Sequence, residues 1–430
     1  MRHGFAGLKR ATKIALIRVG SRFLRRFEHW YFKPNDSTIA RKPRHYGVFY
    51  ISSEGSLGDA AMGYSIVSQI RDVQPDARIT FLIHRDADRD YFREFGVDTV
   101  SIEGFFDVLP SRKAARRIAD LALSCTDFIL PGADVLDGVY SPGGTLRRLL
   151  SGIAAERLGA RVHAIGFSFS DRSPQMIRQV FHDRCQGFQI ACRDPQSAAR
   201  LSNVMQRPVP HGSDLAFLLP IGSRCIHPAA GAAEDHVQRW KRDGRKVVIF
   251  NANPISFHNA LPNLPRASVV RGLGRALDDF AHRTGAALLF LTHDNRPAFS
   301  DATFMQEILA ILHRDFPRHF VPQTVQPSDI KRLCSLSDLV VTGRMHLGIA
   351  GLGAGKTTMI TDYQGKVRGL YDLFDTPELA LDLNEICEGD RLADLMLSAL
   401  ELSTNFENRI QSKLPEVKAL SRRNLAPILD

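Results

Sequence analysis

The chain has 430 residues, 44% hydrophobic and 24% charged, the balance of an ordinary globular protein long enough for two domains. No run approaches 18 uninterrupted apolar residues, so no spanning helix is expected; six cysteines (Cys125, Cys185, Cys192, Cys225, Cys334, Cys387) include no C-x-x-C pair, which argues against a zinc site or a disulfide framework and for a reducing compartment. The formal charge of +10 is concentrated in residues 1–45, where 12 Lys/Arg face only Glu28 and Asp36, so the body is neutral and a nucleic-acid partner is not expected.

In the leader, Leu16, Ile17, Phe23, Leu24, Phe27, Trp30 and Tyr31 recur at three- and four-residue spacing, interleaved with Lys13, Arg18, Arg22, Arg25 and Arg26. This is the pattern of a basic amphipathic helix suited to an anionic membrane surface, here through residues 1–32. A helix packed on a partner or on the protein itself satisfies the same pattern. The leader lacks the clean apolar stretch and small-residue cleavage site of a secretory signal. The expected location is cytoplasmic, with peripheral attachment to the inner face of the cell membrane.

Beyond the leader, "YGVFYIS" (46–52) reads as a buried strand, "SEGSLG" as a loop, and Asp59 to about Arg71 as a helix. Further apolar runs ("ARITFLIH", "TDFILPG", "ARVHAIGFSFS", "GFQIACRD") end in small or polar residues, with helical patterns between them. Such alternation implies a parallel sheet covered on both faces. Residues 220–245 read as a linker and the lead-in to a second domain. There the alternation restarts with "KVVIFNA", "AALLFLTHD", "SDLVVTG" and "TTMITDY". The expected fold is α/β, with two Rossmann-like domains facing across a cleft. The expected divisions are a leader (1–45), domains over 46–222 and 240–395, and a C-terminal helical tail (396–430).

Ligands in such sheets sit beyond the carboxyl ends of the strands, which singles out four clusters. The first is Gly55-Ser56-Leu57-Gly58-Asp59, where glycines allow close backbone approach and a helix N-terminus favours an anion; Asp59 is read either as the helix cap or as a catalytic group. In the second, Asp194 and Pro195 have the signature of an N-cap and N1 pair, leaving Arg193 for the cleft or for a salt bridge with Asp194 or Asp214. The third is His293-Asp294-Asn295-Arg296, either a site lining or a loop cap. The fourth is Thr342-Gly343-Arg344-Met345-His346. Cations in a first helical turn oppose the helix dipole, and a bound phosphate or carboxylate would compensate. No clustered ligand spacing calls for a metal.

Three suggestive strings do not hold. "GLGAGKTT" (351–358) lacks the four-residue gap of a phosphate loop and lies between a helix-like and a strand-like run, the reverse of the required order. It reads as a helix ending in glycine and turning into a strand. "HRDF" (313–316) lacks the asparagine of a kinase catalytic loop, and "GLGRAL" lacks the third glycine of a dinucleotide loop.

Taken together the clusters resemble the polysaccharide pyruvyl transferase family over about residues 46–375. "EGSLGDAAM" is similar to its glycine-asparagine-x-glycine-aspartate signature, with Ser56 where asparagine is usual. "GADVLDG" and "IGFSFSD" sit where the family has glycine-rich strand ends, although Ala133 interrupts a glycine run. "RDPQSAARL", "GSDLAFLL" and "SDLVVTGRMHLGIAGLGAGKTTMITDYQGKVRGL" match its later motifs in order, with Lys356-Thr357 where valine-proline is common. The resemblance implies a GT-B-like fold. It implies transfer of the enolpyruvyl unit of phosphoenolpyruvate to two hydroxyls of a bacterial exopolysaccharide sugar, on an oligosaccharide acceptor carried by a lipid, with release of phosphate and no cofactor.

It also implies roles. Arg193, Arg344, Met345 and Lys366 would bind phosphoenolpyruvate, and His346 would be the general acid. Asp59 would be a base or acceptor ligand, and Gly55, Ser56, Gly58, Asp134 and His293 would line the acceptor side. A GT-B-type glycosyltransferase using a nucleotide sugar, with Asp362 as its ribose ligand, and a non-catalytic glycan-binding relative are the alternatives.

Overall fold

The computed structural model describes residues 44–49, 56–296, 300–313, 315–362, 366–386 and 391–429. The basic leader, with the membrane contact expected of it, and Gly55 lie outside these described residues. No helix among the described residues is long and apolar enough to cross a membrane.

The described chain forms two compact units, one of residues 44–49 and 74–211, the other of 56–73 and 212–429. The first is built on β1 (His45–Val48), β2 (Arg78–Ile83), β3 (Asp98–Ser101), β4 (Asp127–Ala133), β5 (Arg161–Phe167) and β6 (Gln189–Cys192). These form one parallel sheet in the order β3-β2-β1-β4-β5-β6. The second is built on β7 (Val247–Asn251), β8 (Ala287–Leu291), β9 (Arg318–Val321), β10 (Leu339–Thr342), β11 (Thr358–Asp362) and β12 (Ala380–Asp382). Its sheet is also parallel, in the order β12-β11-β10-β7-β8-β9. Each is the doubly wound order, and each has a switch point where the order reverses, between β1 and β4 and between β7 and β10.

Burial explains which strands the sequence announces. β7 and β8 are buried at every residue, and strands covered on both faces read as unbroken apolar runs. Three strands escaped the sequence reading: β3, β9 and β12. All three are sheet edges of three or four residues, with half-exposed or exposed positions, so hydropathy does not mark them.

Two expectations need correction. The helix Leu57–Val73 follows β1 in sequence but belongs to the second unit, where Leu57 joins a core with Val247, Val325, Leu347 and Ala350. The 46–222 boundary therefore moves: residues 56–73 and 212–222 go to the second unit. The stretch read as a linker contains the helix Pro228–Arg242, whose Ala230, Ala233, Val237 and Trp240 lie in that same core.

The "GLGAGKTT" string resolves as a helix stop. The helix Met345–Gly353 ends with the Gly355 amide bonded to Leu352 O (2.9 Å) and the Lys356 amide to Gly351 O (3.0 Å). This is the paired termination that places a left-handed residue just past the cap, and Gly355 has φ +75°. Lys356 turns to Glu407 at 3.3 Å.

Candidate active site

The switch point of the second sheet is furnished by strand ends. β7 ends at Asn251 and β10 at Thr342, hydrogen-bonded neighbours in the sheet. The Thr342 hydroxyl donates to Asn251 Oδ1 (3.1 Å) and accepts from the Arg344 amide (2.9 Å). This fixes Arg344 at the N-cap position of the Met345–Gly353 helix, which it does not cap with its side chain. The first-turn amides of that helix project from its end, where an anion is favoured.

The Arg344 guanidinium is instead held by carboxylates. Its Nε and Nη2 donate to Asp301 Oδ1 at 3.0 and 2.7 Å, and its Nη1 lies 3.2 Å from Asp294 Oδ2. Asp301 Oδ2 accepts from Asn251 Nδ2 (3.0 Å), the His293 amide (3.2 Å) and the Asp294 amide (3.0 Å). Burial raises the Asp301 carboxyl while Arg344 opposes the rise. With five N–H donors on its two oxygens, the carboxylate is the form this shell accommodates. Arg296 adds a bidentate grip on Asp294, at 3.0 and 2.6 Å. The compensation that the sequence reading assigned to a bound anion is therefore supplied, for Arg344, by the protein itself. Asp301, fully buried at the start of its helix, was missed: it lies 43 residues from Arg344 and belongs to no motif.

His346 occupies the second position of the same helix. Its Nε2 lies 3.5 Å from Asp214 Oδ2. Asp214 is buried, and its Oδ1 accepts from the Ala216 amide (2.9 Å). Its segment is fastened from the C-terminal helix Ser403–Arg423 and the residue beyond: Ser421 Oγ donates to Asp214 O (2.9 Å) and Asn424 Nδ2 to Ser213 O (2.8 Å). The other face of the imidazole rests on Gly58, where a Cβ would stand 2.4 Å from His346 Nδ1. Only glycine leaves that room, and it joins the N-terminal glycine motif to the histidine motif.

Ser56 and Asp59 complete the cluster. Ser56 Oγ donates to Asp59 Oδ2 at 2.7 Å across the first turn of the Leu57–Val73 helix, in which Asp59 is the third residue. Ser56 also makes an antiparallel bridge with Asp294. His293 is buried; burial first, then His346, Arg344 and Arg296, hold it well below the ordinary histidine range. Its imidazole is neutral near pH 7.

So Ser56, Gly58, Asp59, His293, Arg344, Met345 and His346 share one region of the second unit. Arg193 and Asp134 meet in the first unit, at the carboxyl ends of β6 and β4. Arg193 Nη2 donates to Asp134 Oδ1 (2.5 Å) and its Nε to Ser168 Oγ (2.7 Å). Asp194 caps the next helix through the Ser197 amide (2.7 Å), with Pro195 at its first position. The salt bridge of Arg193 thus goes to Asp134, a partner the sequence reading did not weigh. Lys366 opens the helix Lys366–Asp372 that follows β11. Among the described residues, no group of three His, Cys, Asp or Glu is arranged to hold a metal ion.

The family profile for polysaccharide pyruvyl transferase matches residues 57–365. The chain belongs to that family. Its match begins beside Gly58 and takes in Arg193, Asp214, Asp301, Arg344 and His346, and membership makes the protein a transferase. In a comparison with curated protein sequences, none matches the chain.

Among solved structures, the transferase is similar to the UDP-GlcNAc 2-epimerase of Neisseria meningitidis, with TM-score 0.57, 11% identity, and 90% of this chain and 99% of that one covered. A putative UDP-N-acetylglucosamine 2-epimerase of Listeria monocytogenes gives TM-score 0.53, 13% identity, 87% and 92%. The glycotransferase of kitacinnamycin gives 0.52, 14%, 90% and 98%. At these identities the likeness concerns the fold alone, which is GT-B-like.

Proposed function

We propose that this transferase moves pyruvate from phosphoenolpyruvate to a sugar of a lipid-linked polysaccharide repeat unit. A ketal forms and phosphate is released. The observation that carries the reading is His346, held between the Asp214 carboxylate and the bare backbone of Gly58, at the open N-terminus of a helix at the switch point.

The chemistry asks for a proton on the methylene carbon, addition of two sugar hydroxyls to C2, and loss of phosphate by C2–O cleavage. Of the two hydroxyl protons, one is balanced by the proton gained at C3 and the other leaves with phosphate. His346 is the proton donor, kept in place by Asp214. The helix amides at Met345 and His346, with Arg344 and Lys366, are the phosphate and carboxylate ligands that the second unit offers. Asp59 and Ser56, one hydrogen bond apart, are the acceptor-side groups, with Asp59 as base or acceptor ligand; Gly58 and His293 line that side. Neutral His293 can accept a hydroxyl proton or a hydrogen bond. Arg344, Lys366 and the amides neutralise the donor's charge, and no cofactor is invoked. The site works at the cytoplasmic membrane face, where such acceptors are built.

The test is incubation with phosphoenolpyruvate and a panel of lipid-linked oligosaccharides. Phosphate release with a matching gain of pyruvate mass is the expected result. Consumption of a nucleotide sugar with no turnover of phosphoenolpyruvate would overturn the reading in favour of glycosyl transfer.

A further inference from the structure

In the first unit the loop after β3 is ordered at its base and apolar at its tip. The Ser111 amide donates to Gly104 O (2.9 Å), closing the neck. Phe105 and Phe106 pack edge-on to each other and against Phe49, with centroids 5.3, 6.2 and 6.4 Å apart. Arg147 donates to Phe106 O and Asp107 O at 2.7 and 2.8 Å. From this fixed base Val108 and Leu109 stand 73% and 78% exposed, the two most exposed large apolar side chains among the described residues. Tyr140, 62% exposed, lies just before the Pro142–Arg157 helix that supplies Arg147.

The next element carries charge that stability does not explain. The helix Arg112–Ser124 has no acid in its first turn, where acids are favoured and cations disfavoured. It begins instead with exposed Arg112, Lys113 and Arg116, while Arg117 turns back to Ser101 O (2.7 Å). Glu103 and Asp107 are the acids of the same loop.

We propose that this tip is a membrane-contacting surface: Val108 and Leu109 enter the interfacial layer of an anionic lipid bilayer, and Arg112, Lys113 and Arg116 meet its headgroups. Apolar insertion beside a cationic cluster is how a peripheral protein combines area burial with electrostatic attraction. The loop leaves the carboxyl end of β3, the sheet edge at which ligands bind, so a bilayer there presents a lipid-carried acceptor to that edge. The purpose rests on the reading above; the binding does not.

The test uses the full chain carrying Leu109→Cys labelled with an environment-sensitive nitrobenzoxadiazole dye, mixed with phosphatidylcholine vesicles with and without phosphatidylglycerol. The five described cysteines are buried, and a mock-labelled wild type measures any other labelling. Leu123→Cys, on the same helix roughly 17 Å from its start and 49% exposed, is the control position. The expected result is a blue shift at position 109 with anionic vesicles and none at 123. In co-sedimentation, R112E/K113E/R116E should lower binding by about a hundredfold. No shift at 109 while the chain still co-sediments would assign attachment to another segment and overturn the proposal, as would equal shifts at both positions or no co-sedimentation at all. Pyruvyl transfer to a water-soluble acceptor is measured separately, so failure of this surface and failure of the transfer reading remain distinguishable.

Discussion

The two sheets share one strand order but carry different chemistry at their carboxyl edges. In the second unit that edge gathers Asn251, His293, Asp294, Asp301, Thr342 and Arg344 into one hydrogen-bonded cluster, with His346, Ser56, Gly58 and Asp214 beside it. Among the described residues, the first unit's edge holds arginines paired singly, Arg193 with Asp134 and Arg85 with Asp88, and an apolar loop tip. Topology supplies the place where a ligand binds; the residues at the strand ends decide what is done there.

The sharpest way to break this comparison is through the two arginine pairs. Asp301→Ala removes a fully buried carboxylate and takes from the Arg344 guanidinium, 14% exposed, its two hydrogen bonds to Asp301 Oδ1. Breaking a buried pair costs about 3–5 kcal/mol, read as a shift in denaturant midpoint. Asp134 is 30% exposed, and Asp134→Ala should cost about 1–2 kcal/mol, since water reaches the arginine's partner. Equal losses would mean that the two edges are built alike.

Gly58→Ala tests the junction between the glycine motif and the histidine. Alanine is the better helix former by about 1 kcal/mol, but its Cβ would stand 2.4 Å from His346 Nδ1 and 2.9 Å from His346 Cβ, so overpacking should cost about 1–3 kcal/mol and displace the ring. Turnover should fall at least about tenfold through misplacement of the acid. Unchanged turnover would detach the N-terminal motif from the site.

A buried cation separates the cores as well. Lys331 is fully buried in the second unit, donating to Phe217 O (3.2 Å) and Leu219 O (2.6 Å). Burial, then Lys418, brings its pKa down to about 7. The unfolded lysine stays protonated to about 10.4, so above pH 7 the unfolded state holds the extra proton and stability rises with pH. The slope approaches about 1.4 kcal/mol per pH unit. The comparison of wild type with Lys331→Met belongs between pH 7 and 8, below the ordinary thiol range. There the wild type should gain on the variant; parallel curves would show that the lysine keeps its ordinary pKa.

The smallest effect is in the first unit. Ala133 closes β4 with φ +38°, a left-handed conformation that costs a non-glycine residue about 1 kcal/mol. Ala133→Gly should recover about that much in thermal stability. No gain would mean that the backbone relaxes at no cost.

These residues also show what the sequence could and could not disclose. The inner strands were legible because burial on both faces writes itself as an apolar run; β3, β9 and β12 were not, because an edge strand needs only one packed face. Arg344, His346 and Gly58 were legible as letters at strand ends. Their partners were not: Asp301 and Asp214 lie far along the chain, and no local spacing encodes a long-range pair. The Leu57–Val73 helix was placed with the wrong sheet because an apolar helix face does not name the sheet it covers.

The central claim is that His346, fixed by Asp214 and Gly58, performs the transfer. Its most direct measurement is phosphate release from phosphoenolpyruvate, with a lipid-linked acceptor present, by wild type and by His346→Ala. The account predicts a fall in turnover of about 10²–10⁴ with an unchanged melting temperature. Turnover at the wild-type rate would contradict it.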